Sequence, residues 1–148
     1  LNIFGAIFGE GGSIFTAIAF WALGQTILVL VGKYYNLITK YNIHEHIEKD
    51  NVAVGIGFAG ALIGIGNLLR AASAENFISW EENLMTFTLY MLVGLILLPV
   101  ARILTDRILL PGRSLADELV NQVKPNQGAA FLEASSYIGA SFLITWCI

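Results

Sequence analysis

KDNVAVGIGFAGALIGIGNLLRAA, from Lys49 to Ala72, opens with two charges and an asparagine and then carries no charge until Arg70. Glycine returns at Gly55, Gly57, Gly60, Gly64 and Gly66. In a water-exposed helix each interior glycine costs about 1 kcal/mol relative to alanine, so the stretch is poor material for a soluble helix. It is good material for a membrane. In lipid the backbone must bond to itself, which favours a helix whatever the side chains, and roughly 20 apolar residues are enough to cross the hydrocarbon core.

The whole chain agrees with this reading. Its 148 residues are 56% hydrophobic and 13% charged, against about 25% charged in soluble domains. A net charge of −3 points to no nucleic-acid partner, and a single cysteine, Cys147, can form no internal disulfide. The chain opens at Leu1 with no basic region ahead of its first apolar residues. It is therefore read as trimmed at its start and not as beginning with a signal peptide.

Four segments have the length and composition of spans: about 14–32, 52–69, 84–101 and 127–148. They are too long and too continuous for barrel strands. The fold expected is an all-α integral membrane protein of four transmembrane helices, forming a single membrane domain over 1–148. Ser13 is placed to cap the first helix, and Pro99 falls near the end of the third. Seven of the eight basic residues lie in the connections 33–50 and 102–125. The positive-inside rule puts those connections in the cytoplasm and both termini on the outer, periplasmic side. Trp80 and Trp146 then fall at the outer interface.

Shifted by 75 residues, the opening stretch meets KPNQGAAFLEASSYIGASFLI, Lys124 to Ile144. Lys49 meets Lys124, Asn51 meets Asn126, and Gly64 meets Gly139. Asn51 and Asn126 are placed as N-caps of helices entering the bilayer. Each follows a short acidic amphipathic segment, IHEHIE (Ile43–Glu48) or LADELV (Leu115–Val120). Pro111-Gly112 breaks the chain ahead of the latter, and Ser114 with Asp117 has capping-box spacing. The chain reads as two tandem, parallel units, about 13–72 and about 83–148. The small residues Gly57, Gly60, Gly64, Ser135 and Gly139 form stripes that let another helix backbone approach closely.

Chemistry-bearing residues are few. Glu133 is the ionisable group deepest in a span, about 10 Å past Asn126 at 1.5 Å per residue, and such a group marks a functional site by default. Arg102, able to snorkel from the third span, and Ser136 are its candidate partners. Gln25 and Asn67 read as interhelical hydrogen-bonding residues. His44-Glu45-His46-Ile47-Glu48 lacks the H-E-x-x-H spacing of zinc proteases and reads as a solvated segment, so no metal or cofactor is expected. Nucleophilic catalysis by Ser135, Ser136 or Ser141 has no support in the sequence.

KDNVAVGIGFAGALIGIG (Lys49–Gly66), LLPGRSLADELV (Leu109–Val120) and NQGAAFLEASSYIG (Asn126–Gly139) together resemble domain of unknown function 350, a group of small bacterial inner-membrane proteins. The resemblance covers the chain from about residue 20 onward. It implies four spans in two tandem units and an inner-membrane location. Some members of that group are encoded in stress-related clusters beside membrane-remodelling and polyamine-ligase-like proteins. No catalytic residue is transferred by it. Sequence and resemblance together suggest a non-enzymatic protein of the lipid bilayer that forms a homo-oligomer or larger complex, or docks a cytoplasmic protein partner, through its small-residue faces. The alternative is a small channel or transporter built around Glu133.

Overall fold

A computed structural model describes residues 14–74 and 77–148. All regular structure among the described residues is helical: α1 (Ile14–Ile38), α2 (Ile43–Glu48), α3 (Val52–Ala72), α4 (Trp80–Leu109), α5 (Leu115–Val120) and α6 (Gln127–Cys147). Ser13, the expected cap of the first helix, lies outside the described residues. Among the described residues three helices are long and apolar enough to cross a membrane: α1, α3 and α4. The fourth expected span, α6, matches α3 in length at 21 residues. Glu133 and the Ser135, Ser136 and Ser141 hydroxyls leave it less apolar than those three.

Short polar side chains set where the helices begin. Asn51 Oδ1 accepts the Val54 N–H and Asn126 Oδ1 the Ala129 N–H, each at 3.2 Å. Ser79 caps α4 through the Glu82 N–H at 3.2 Å, and Ser114 caps α5 through the Asp117 N–H at 3.1 Å. Each removes one orphan donor from a helix start. Asp50, at φ 56°, makes the sharp turn between α2 and α3, a left-handed conformation that aspartate tolerates better than most residues.

Pro99 does not end its helix; α4 continues through it to Leu109. Proline lacks the N–H that would bond to the carbonyl four residues back. That carbonyl, Leu95 O, instead accepts the Tyr34 hydroxyl of α1 at 3.1 Å. The lost backbone bond is thus replaced by an interhelical one, which is how proline is accommodated in membrane helices.

α3 is the central helix. It packs most extensively on α6 and also contacts α1 and α4. Gly60 lies against Ala134, Gly64 against Tyr137 and Asn67 against Ser141. Residue numbers rise together along both helices, so α3 and α6 run side by side in the same direction. A Cβ on Gly60 would overlap the Cα and Cβ of Ala134, and one on Gly64 would lie 3.0 Å from Tyr137 O. Ser135 and Gly139 do not join this seam. They lie on the exposed side of α6, because the face turned to α3 is the one carrying Ala130, Ala134, Tyr137 and Ser141. The Gly60–Gly64 stripe is therefore consumed within the chain and is not a surface for another molecule.

The seam yields a test. Gly60→Ala should lower stability by about 1–3 kcal/mol, the usual cost of overpacking. A Cβ at Gly55 or Gly66 meets nothing within 4 Å, so alanine there should be neutral or stabilising by up to about 1 kcal/mol. Thermal unfolding of the three variants in detergent reads the difference, and equal midpoints would contradict the close approach.

Candidate functional site

Glu133 is fully buried, at 0% exposure, where α6 faces α1, α3 and α4. The Arg102 Nε–H donates to its Oε1 at 2.5 Å and the Tyr35 hydroxyl donates to the same oxygen at 2.8 Å. The Arg102 side chain is 13% exposed. On the other side, Glu133 Oε2 faces Gly57, where a Cβ would stand 2.9 Å away. Glycine at 57 is thus what lets α3 accommodate the carboxylate. Ser136, the other candidate partner, makes no such bond; its hydroxyl is buried and has no protein partner. One turn of helix separates it from Glu133, and the nearer donors come from other helices.

Three tyrosines ring the pair. Tyr35 packs on Tyr137 and Phe58 with centroids 5.8 and 5.5 Å apart. Tyr41, in the link between α1 and α2, sits beside Tyr35 and Arg102, and burial pushes its phenol up to about 12. Glu133 Oε2, Arg102 Nη2 and the Tyr41 and Tyr137 hydroxyls are buried with no protein partner. One ion-pair contact and one tyrosine bond therefore satisfy only part of the centre's hydrogen-bonding capacity. Chemically it can hold a charge pair away from lipid and bind water or another small polar species.

The end of the bundle that carries α2 and α5 is braced by a second polar group. Glu118 of α5 is 3% exposed. Its carboxylate accepts the Asn126 side-chain amide at 2.8 Å and the Arg113 guanidinium at 2.9 Å, and its carbonyl accepts the Asn126 N–H at 2.9 Å. Those bonds, Asn126 first, hold the Glu118 carboxyl below the usual glutamate range. Asn51 extends its amide to Leu119 O at 2.9 Å. The two capping asparagines thus also tie α3 and α6 to α5.

The remaining sequence candidates separate. Asn67 of α3 donates to Ser141 of α6 at 3.2 Å. Gln25 is exposed on α1, turned away from the other helices, so the interhelical role expected for it does not hold within the chain. His44 and Glu48 form an exposed pair at 3.1 Å. Tyr35, Tyr41, Tyr137 and Glu118 are the contributors that sequence reasoning missed. For Tyr35 and Tyr41 the available signal was their position beside Lys33 and Lys40, which also suits plain interface tyrosines.

With this geometry in view, comparison with known proteins is informative. The family described as Domain of Unknown Function (DUF350) matches residues 9–148. The chain belongs to the DUF350 family. Among its relatives is the UPF0719 transmembrane protein YshE of Bacillus subtilis (strain 168), 25% identical over 126 residues, which are 85% of this chain and 87% of that protein. No solved structure matches. The family and this relative agree with the three apolar helices in making this DUF350 chain a membrane protein.

The buried pair predicts an asymmetric mutational response. Arg102→Met alone leaves Glu133 uncompensated and should cost about 3–5 kcal/mol. Adding Glu133→Gln, which keeps an acceptor for Tyr35, should restore much of that loss. Thermal unfolding of both proteins and of wild type checks this; a double variant no more stable than Arg102→Met would show that the pair is not coupled.

Proposed function

We propose that this DUF350 protein is a non-enzymatic, four-span component of the bacterial inner (plasma) membrane. On this reading it assembles into a homo-oligomer, or docks a membrane partner, through the outward face of α6. The observation that supports the reading is on that face. A Cβ on Gly139 meets nothing within 4 Å and Ser135 is exposed, while the opposite face of the same helix is tightly packed on α3. Small residues four apart suit close approach of a second helix. The parallel course of α3 and α6 supports counting α6 as the fourth span and the chain as two tandem units. The basic connections support a cytoplasmic position for α2 and α5, whose exposed charges suit a soluble partner, and outer positions for both termini.

A second reading, a channel or transporter, draws on the buried polar atoms around Glu133 that lack protein partners. The two readings separate experimentally. A thiol at Gly139, in a Cys147→Ser background, should crosslink in native membranes if α6 is an interface, and Glu133→Gln should leave that crosslink in place. Absence of any Gly139 adduct, together with an ion or proton flux in proteoliposomes that Glu133→Gln abolishes, would favour transport.

Orientation is tested in the same background. A membrane-impermeant thiol reagent added outside should label a cysteine at Ile78, which is 68% exposed, and spare one at Lys40. The reverse pattern would invert the topology.

A further inference from the structure

Glu133 lies about 9 Å from the start of α6 and about 21 Å from its end, at 1.5 Å per residue. The end of the bundle that carries α2 and α5 is therefore its nearer surface. Charged and titratable groups reach it from several elements: Tyr35 from α1, Tyr41 from the link after it, Arg102 from α4 and Tyr137 from α6 itself. α3 brings Gly57 and α5 brings Leu119, while Glu118 of α5 is held by Asn126 and Arg113. Toward the α2/α5 end the polar groups continue. Tyr41 is half-buried, its ring meets that of His46 edge-on at 5.7 Å, and its hydroxyl stands beside Tyr35 and Arg102. His46, on α2, is itself half-buried. In the other direction the polar groups give way. α1 and α4 run toward the α2/α5 end and α3 runs away from it. One turn farther from that end than Tyr35, Gly57 and Arg102 therefore stand Val31, Ala61 and Leu98. All three are buried, and with Ile65 they close around Tyr35 and Tyr137.

We infer that Glu133 is a proton-binding site served from the α2/α5 end alone, by way of the Tyr41 and Tyr35 hydroxyls. Tyr35 already donates to Glu133 Oε1 at 2.8 Å. Tyr41 Oη, buried and without a partner, has only to turn its O–H toward Tyr35 to complete the line. A proton from water at that end joins Tyr41 Oη, Tyr41 passes its own to Tyr35, and Tyr35 passes its own to the carboxylate. Each phenol gains one proton and gives one up, so the net change is one proton on Glu133. Val31, Ala61, Ile65 and Leu98 have no side-chain group to carry a proton onward, and an apolar lining does not hold water. A proton and Arg102 compete for the same carboxylate. Uptake cancels its charge and leaves Arg102 without a counter-charge, so acid at the α2/α5 end loosens the tie between α4 and α6. Such a site is independent of whether α6 is an interface.

The test uses the full chain in lipid nanodiscs, with protons released by flash photolysis of a caged acid and followed by time-resolved infrared spectroscopy. A carboxylic C=O band should rise on acidification in the wild type and be missing from Glu133→Gln. Tyr41→Phe keeps the ring and removes the hydroxyl. It should slow the rise of the band several-fold and leave its midpoint pH unchanged. No Glu133-dependent band down to the acid unfolding of the protein would overturn the inference. So would a Tyr41→Phe band that rises as fast as the wild-type one, whether or not its midpoint moves, since a hydroxyl that only tunes the site shifts the midpoint and not the rate. Closure of the far side is read in proteoliposomes under a pH gradient with an entrapped pH dye. The wild type should leak protons no faster than protein-free vesicles; a faster leak that Glu133→Gln removes would show the site open at both ends.

Discussion

Gly60 of α3 lies so close to Ala134 of α6 that even a methyl group does not fit between them. In water such an approach would be one packing detail among many. In lipid it carries more of the fold, because an apolar side chain gains nothing by leaving acyl chains for another apolar surface. What remains is dispersion between closely fitted atoms and hydrogen bonds shielded from water. Glycine and alanine maximise the first by bringing backbones together. The Asn67–Ser141 bond adds the second near the far end of the same seam. The other helices are placed relative to this parallel pair.

The position of Glu133 follows from that seam. It precedes Ala134, and the contact at Gly60 aims its carboxylate at Gly57 and into the bundle. A charge there is costly unless matched. Arg102 comes from α4 and Tyr35 from α1, so one carboxylate draws three helices together. The same group that makes the centre expensive also makes it specific: a shift of α4 along α6 would separate the pair. A buried ion pair is weak evidence for stability, but it favours one register over others in a bundle whose apolar faces are otherwise alike.

The end carrying α2 and α5 works by different physics. Here the groups are hydrogen-bonded amides and carboxylates at helix starts, and the short helices are held by Asn51, Glu118 and Asn126. These bonds join α5 to the beginnings of both α3 and α6. The two parallel helices are therefore fixed at their starts by polar contacts and along their lengths by close packing.

From its sequence alone this protein was legible as a membrane chain, and the starts of its helices could be placed. Hydrocarbon demands long apolar segments, and caps are local events between residues two or three apart, so Asn51, Ser114 and Asn126 could be read without a fold. The direction in which each helix faces was not legible. A lipid-facing residue and a buried one are equally apolar here, so periodicity carries almost no signal, and Ser135 with Gly139 looked equivalent to Gly60 with Gly64. Tertiary structure separated them, sent Gln25 outward, carried α4 past Pro99 with the help of Tyr34, and brought Tyr35 to Glu133 across 98 residues of sequence. Each of those outcomes depends on which atoms meet between helices, and interhelical distance is the quantity that a pattern of residues along one helix does not contain.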